Sequence, residues 1–228
     1  MMRRHACSVD ASKIFARKKC RMIFFKDVIL KAVPVRLYGV VHSPLMSSQL
    51  NATEVYKSLI YQAPSSFLVE TSEGSLELSQ FVWDSRYVAS NAENFCREEC
   101  KHTESAAIAA CASLGLPFSA INAIDVDPGK TRRALARSAL FHPWESLKLI
   151  SRYHGDAPEM RSLEEVAVWR SEFAACCPHA FEILFTEREE WMGRKILESV
   201  KAGSNIAVLV GLSHVDGLFD VLTCKALQ

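Results

Sequence analysis

The 228-residue chain balances 27 Lys and Arg against 26 Asp and Glu and is 49% hydrophobic. It can bury one sizeable core, and its composition excludes a disordered or collagen-like chain. A net charge of +1 leaves no overall basic field for gripping a nucleic-acid backbone, so no nucleic-acid partner is expected.

Residues 1 to 31 hold nine Lys and Arg against two acids, and the rest of the chain is net acidic. The division expected is a basic N-terminal segment over 1–32, followed by one domain over 33–228. Arg-rich and acid-poor, with Ile14 and Phe15 among basic neighbours, the segment reads either as a mitochondrial targeting peptide or as a basic tail. Met22 offers an alternative start. The eight cysteines form no repeated CxxC pattern, which fits reduced thiols in an intracellular protein, mitochondrial or cytoplasmic.

From Val33 onward, short β-rich runs alternate with long helical patterns. The runs are Val35–His42, Ser66–Glu70, Phe118–Asp125 and Ile206–His214. This is the pattern of an α/β domain with a mostly parallel or mixed sheet covered by helices. Between the runs, Ser90-Asn-Ala-Glu93 reads as a capping box opening a helix that ends at Gly115. The stretch 105–124 is the longest without a charged residue, but it breaks at Gly115-Leu116-Pro117. It reads as helix end, turn and strand, so no transmembrane span is expected. Residues 129–152 read as helical with an interruption at His142-Pro143. Ser162-Leu-Glu-Glu165 and Thr186-Glu-Arg-Glu189 repeat the capping pattern. The second opens a helix that puts Trp191, Met192, Ile196 and Val200 on one buried face and closes near Gly203.

Each strand candidate ends in a chemically capable residue: His42, Glu70, Asp125 or His214. In a parallel α/β sheet the carboxyl ends of the strands share one edge, where ligands bind, so residues distant in sequence converge there. Two imidazoles and two carboxylates suit a divalent metal such as Zn²⁺, Mn²⁺ or Co²⁺, or a metal-free acid/base site. Both histidines close a Gly-x-x-His pattern, Gly39-Val-Val-His42 and Gly211-Leu-Ser-His214, and a glycine three residues upstream permits close backbone approach.

These motifs, in this order, resemble the TraB/PrgY/GumN group, whose relatives include the Tiki proteases and, more distantly, the erythromycin-esterase and ChaN-like proteins. The resemblance runs over nearly all of residues 35–218. Leu37-Tyr-Gly-Val-Val-His-Ser43 is similar to the opening strand and first GxxH, and Val69-Glu70 to the glutamate after the second strand. Asp125, Thr131, Arg132 and Arg133 match a third motif, with Val126 in place of the arginine usual there. Arg188 and Met192 resemble a glutamate-arginine motif, and Asn205–Gly217 the closing strand and second GxxH.

The resemblance implies a metal-dependent hydrolase or peptidase acting on a peptide or small-molecule substrate. The metal would sit on His42, Glu70 and His214, with Glu70, Asp125 and Arg188 in catalytic roles. Loss of the arginine at Val126 favours the alternative of a non-catalytic TraB-type binding or scaffold protein associated with mitochondria or membranes. A further alternative is a haem-binding, ChaN-like protein using an exposed histidine or a tyrosine such as Tyr38. Arg188 has two readings: stabiliser of a developing oxyanion, or partner of an ion pair with Glu187 or another acid. Asp127-Pro-Gly-Lys-Thr131 lacks the first glycine of a phosphate-binding loop, and Ser213 lacks the second glycine of a nucleophile elbow.

Overall fold

A five-stranded sheet organises the chain, in the order β1-β2-β5-β3-β4. Its strands are β1 (Phe24–Leu30), β2 (Val33–Val40), β3 (Ser66–Val69), β4 (Ile121–Ala123) and β5 (Ile206–Gly211). The structure, a computed structural model, describes residues 24–40, 46–98, 104–153 and 163–226. β1 runs antiparallel to β2, and the β2/β5, β5/β3 and β3/β4 pairs are parallel. The expected α/β domain with a mixed, mostly parallel sheet is therefore present.

The boundary expected at residue 33 is corrected, because it falls inside a β-hairpin. Phe24–Leu30 pairs along its length with Val33–Gly39, and Val28 and Leu30 are buried. Two residues in left-handed conformation, Lys31 at φ 51° and Ala32 at φ 64°, make the turn. Both central residues at positive φ match the twist of the flanking strands, although Lys-Ala is not the usual Asn-Gly composition. Charge hides the alternation within this segment: Lys26 shares the inward face with Val28 and Leu30, where it meets Asp216 and Phe219, while Asp27 shares the exposed face with Phe25 and Ile29.

Alternate residues of the parallel strands feed two cores. Tyr38, Val40, Phe67, Val69, Ala207 and Leu209 point to one face. There they meet α1 (Met46–Gln62), α3 (Ser85–Ser90), α4 (Ala92–Glu98) and α5 (Glu104–Ser113). Leu37, Leu68, Ile206, Val208 and Val210 point to the other, against α8 (Leu163–Cys176), α10 (Glu187–Ser199) and α11 (Val215–Ala226). α5 is buried on every side from Ser105 to Ala112, so the uncharged stretch opens as core helix and, as expected, passes through a turn into β4. No helix among the described residues is long and apolar enough to cross a membrane. α2 (Glu73–Val82) is capped by the Ser72 hydroxyl, which accepts from the Ser75 amide.

Three expected elements differ in detail. The single helix expected over 90–115 is interrupted at Asn91, between α3 and α4, residues 99–103 lie outside the described ones, and Ser90 does not cap a helix start. Its hydroxyl donates back to the Arg86 and Tyr87 carbonyls at the end of α3. The third strand is shorter than expected, because Phe118–Ala120 forms a 3-10 turn before β4. Thr186 is not an N-cap either: it has helical dihedrals, and its side chain makes no capping bond. α9 (Pro178–Phe181), a π-helical stretch over Glu182–Thr186 and α10 form one continuous rod. Within it the Glu187 amide donates to the Glu182 carbonyl, five residues back. Ser162 of the other capping pattern lies outside the described residues. On α10, Met192 and Ile196 are fully buried as expected, whereas Trp191 and Val200 are half-buried. α6 (Pro128–Phe141) and α7 (Pro143–Tyr153) are separated at His142-Pro143, where proline cannot continue the backbone ladder.

Candidate functional site

The carboxyl ends of β3, β4 and β5 lie side by side, and the residues that follow them form one charged cluster. Glu70 immediately follows β3, and its amide donates to the Leu209 carbonyl of β5. Asp125 lies two residues beyond β4, where its amide donates to the Thr71 carbonyl. β5 ends at Gly211, and a 3-10 turn over Leu212–His214 swings the His214 ring back over the sheet edge.

Arg188, from the first turn of α10, joins the two strand-end acids. Its Nη2 donates to Glu70 Oε1 at 2.8 Å and to Asp125 Oδ2 at 2.5 Å, and its Nε donates to Asp125 Oδ1 at 3.2 Å. The other Glu70 oxygen accepts from the Gly211 amide. Burial alone pushes the Arg188 guanidinium down. The hydrogen bonds to Asp125 and the charges of Glu70 and Asp125 outweigh it, so the net shift is upward and the group stays charged. The ion-pair partners are thus the two strand-end acids rather than neighbouring Glu187.

His214, 4% exposed, bridges to a second charged group. Its Nδ1 lies 2.9 Å from Glu189 Oε1 and its Nε2 lies 3.6 Å from Glu70 Oε1. A carboxylate only accepts, so this partner assigns a proton to Nδ1, and Nε2 faces Glu70. Glu189, 3% exposed, is clamped by Arg170 of α8, whose Nη1 and Nη2 donate to its two oxygens at 2.5 and 3.0 Å. Arg170 Nη1 also donates to the Ser213 carbonyl. The Phe185 ring, set by the π-helical stretch, stands 5.1 Å from the His214 ring and 4.8 Å from the Arg170 guanidinium. Such π-helical insertions are frequent beside functional sites, and this one precedes the consecutive Arg188 and Glu189 that serve the two halves of the cluster.

Two glycines give the cluster room. A Cβ on Gly39 would stand 2.7 Å from Leu212 Cδ1 and 2.9 Å from Val215 Cγ2, so the glycine of the first GxxH permits the close approach of β2 to the turn that carries His214. A Cβ on Gly217, in the first turn of α11, would collide with the Glu189 carboxylate. The carboxylate therefore lies against the positive end of that helix.

Glu70, Asp125, Arg188 and His214 are brought together, while His42 lies outside the described residues. Sequence reasoning missed Glu189 and Arg170. Glu189 sits in a run of four charged residues, Glu187 to Glu190, that reads as a solvated face, and only its pairing with the glycine at 217 signals otherwise. Tyr38 is corrected as an exposed haem ligand. It is fully buried, with its hydroxyl 2.8 Å from Gln62 Oε1 and 3.1 Å from Ser58 Oγ.

Beside Arg188 opens a cavity of about 210 Å³ lined by Val126, Lys130, Thr131, Arg188, Trp191 and Arg194 among others. Val126 forms part of its wall. Separately, His142, Glu145 and His179 place ring nitrogens and a carboxylate oxygen within 4.8 Å of one another. They are the one group of three such residues among those described that could hold a metal ion. Compared with protein-family models and with curated proteins, the chain matches none.

Proposed function

We propose that the chain is a TraB/Tiki-like metal-dependent hydrolase acting on a peptide or a small amide or ester, with its centre at the carboxyl edge of the sheet. The observation that carries this reading is the facing pair His214 Nε2 and Glu70 Oε1. Their 3.6 Å separation suits two donors to one ion at about 2.0 to 2.2 Å each, on the side of Glu70 Oε1 away from Arg188 Nη2. Glu70 and His214 would hold a Zn²⁺, Mn²⁺ or Co²⁺ ion, with His42 as the third ligand by the resemblance. Such an ion lowers the pKa of a bound water toward about 7 and polarises a carbonyl.

The chain's own residues supply the rest. Glu189 holds the His214 ring in the tautomer that presents Nε2, the carboxylate-histidine arrangement that orients ligating imidazoles. Arg170 fixes Glu189 in turn. Arg188 positions Glu70 and Asp125, and its charge borders the adjoining cavity, where Lys130 and Arg194 supply positive charge on a wall that lacks the arginine at 126. Glu187 and Glu190 line the same cavity, so its wall carries both signs of charge.

A second reading, a non-catalytic binding or scaffold protein, is favoured by one observation. Arg188 is offset by two carboxylates, so its charge is spent within the protein rather than aimed at a developing oxyanion. The two readings separate on purified full-length protein loaded in turn with Mn²⁺, Co²⁺ and Zn²⁺ and assayed on a fluorogenic peptide library. Hydrolysis that falls at least about 100-fold in His214→Ala and Glu70→Gln, with folding retained, supports the hydrolase. Hydrolysis unchanged by either substitution, or absent with every metal, rejects it. An absorbance scan of the same sample tests haem.

A further inference from the structure

We propose that His142, Glu145 and His179 form a second metal site, for Zn²⁺ or a similar first-row transition ion, at the corner between α6 and α7. The site is independent of the sheet-edge cluster and uses none of its residues. Its three side chains come from the ends of three elements: His142 caps α6, Glu145 lies in the first turn of α7, and His179 lies in α9.

The backbone at all three positions is held in place. The His142 amide donates to the Ser138 carbonyl at 2.7 Å, while the His142 carbonyl accepts from the Glu145 and Ser146 amides at 3.2 and 3.3 Å. Pro143 enforces the break that leaves His142 at the corner rather than along a continuous helix. Across the corner, the His179 amide donates to Glu145 Oε2 at 3.2 Å, and the Cys177 thiol donates to the Glu145 carbonyl at 3.5 Å. Glu145 is thereby tied to the element that carries His179, with its other carboxylate oxygen left for coordination.

The imidazoles are stacked, 3.5 Å between ring centroids and 22° between planes, so the two side chains share one space, and holding one ion requires the exposed His179 ring to turn until the in-plane lone pairs converge. A four-coordinate ion with ligands at about 2.0 to 2.2 Å needs them about 3.3 Å apart. The ligand atoms here lie within 4.8 Å of one another, and His142 and Glu145 are half-buried while His179 is exposed. Two imidazoles with one carboxylate select zinc, cobalt or nickel over calcium or magnesium, which prefer all-oxygen sites. Three protein ligands leave the fourth position to water or a small anion. The site also has a structural consequence: a bound ion fastens the α6/α7 corner to the start of the rod that carries Arg188 and Glu189.

The test uses full-length protein stripped of metal and titrated with Zn²⁺ against a chromophoric chelator, then with Co²⁺ to read the visible bands of tetrahedral coordination. The wild type should bind one equivalent that His142→Ala/His179→Ala loses and that His214→Ala/Glu70→Gln keeps. His179→Gln alone, at an exposed position, should weaken the same equivalent at least tenfold, and Zn²⁺ should raise the melting temperature of the wild type by more than that of this variant. Equal stoichiometry and affinity in the wild type and in His179→Gln overturns the site. So does loss of all bound zinc in His214→Ala/Glu70→Gln. If the double variant at 142 and 179 does not fold, the single variant decides.

Discussion

Of the described arginines that grip carboxylates in a fork, Arg36 and Arg188 sit in the most contrasting surroundings. On the β1/β2 hairpin, Arg36 Nε and Nη2 donate to the two Asp27 oxygens at 2.6 and 2.9 Å, with side chains 28% and 56% exposed. At the sheet edge, Arg188 holds Asp125 and Glu70, with side chains 19%, 15% and 8% exposed. Asp27 and Arg36 sit directly opposite in the strand register, so local pairing alone brings them together. Asp125 and Glu70 stand 63 and 118 residues from Arg188, and only the closed fold assembles them. Both guanidiniums are shifted upward, for different reasons. For Arg36 the hydrogen bond to Asp27 leads, whereas for Arg188 the partners must first overcome burial. Identical chemistry is thus a minor surface contribution in one place and a requirement in the other, because a buried charge that loses its partner cannot turn to water.

The sharpest break of the comparison is Arg188→Ala, which leaves two buried carboxylates uncompensated and should cost about 3 to 5 kcal/mol. Chemical denaturation with a matched m-value reads this directly. A cost below about 1 kcal/mol would show that the cluster is solvated.

Next is Gly217→Ala. Helix propensity by itself favours alanine by about 1 kcal/mol. Collision with the Glu189 carboxylate should reverse the sign, giving a net cost of about 1 to 3 kcal/mol. In a Glu189→Ala background most of that cost should vanish, a coupling that a double-mutant cycle measures.

Cys111, buried on the opposite face of the sheet, extends the comparison to a group with no charge partner. Burial raises its thiol from the ordinary value near 9 to about 11. The folded state therefore holds this proton where the unfolded chain gives it up. The associated stability is intact below pH 9 and is lost progressively as pH rises from 9 through 11. Melting temperatures across that range should fall more steeply for the wild type than for Cys111→Ala, and parallel curves would refute the assignment.

The smallest effect is expected of Asp27→Ala. Removing the exposed hairpin partner should cost no more than about 1 kcal/mol and respond to salt. A larger loss would mean that the hairpin edge is braced by this pair rather than by Val28 and Leu30.

Composition and periodicity alone determined the α/β class, the break at His142-Pro143 and the runs that became β2, β3 and β5, because buried parallel strands write themselves as near-continuous apolar stretches. The strand-end rule singled out Glu70, Asp125 and His214 for the same reason: a strand's carboxyl end can be seen locally, and parallel neighbours share an edge. β1 was not legible, since an edge strand that exposes one face mixes Lys and Asp into its alternation and looks like a basic tail. Arg170 and Glu189 were also hidden. A charged residue on a helix reads as solvent-facing unless its distant partner is known, and here the partners are a ring on the turn after β5 and a glycine in α11 that leaves space for a carboxylate. Which charges are buried, and against what, was decided by tertiary structure because desolvation depends on every element packed around the group and on no sequence neighbour alone.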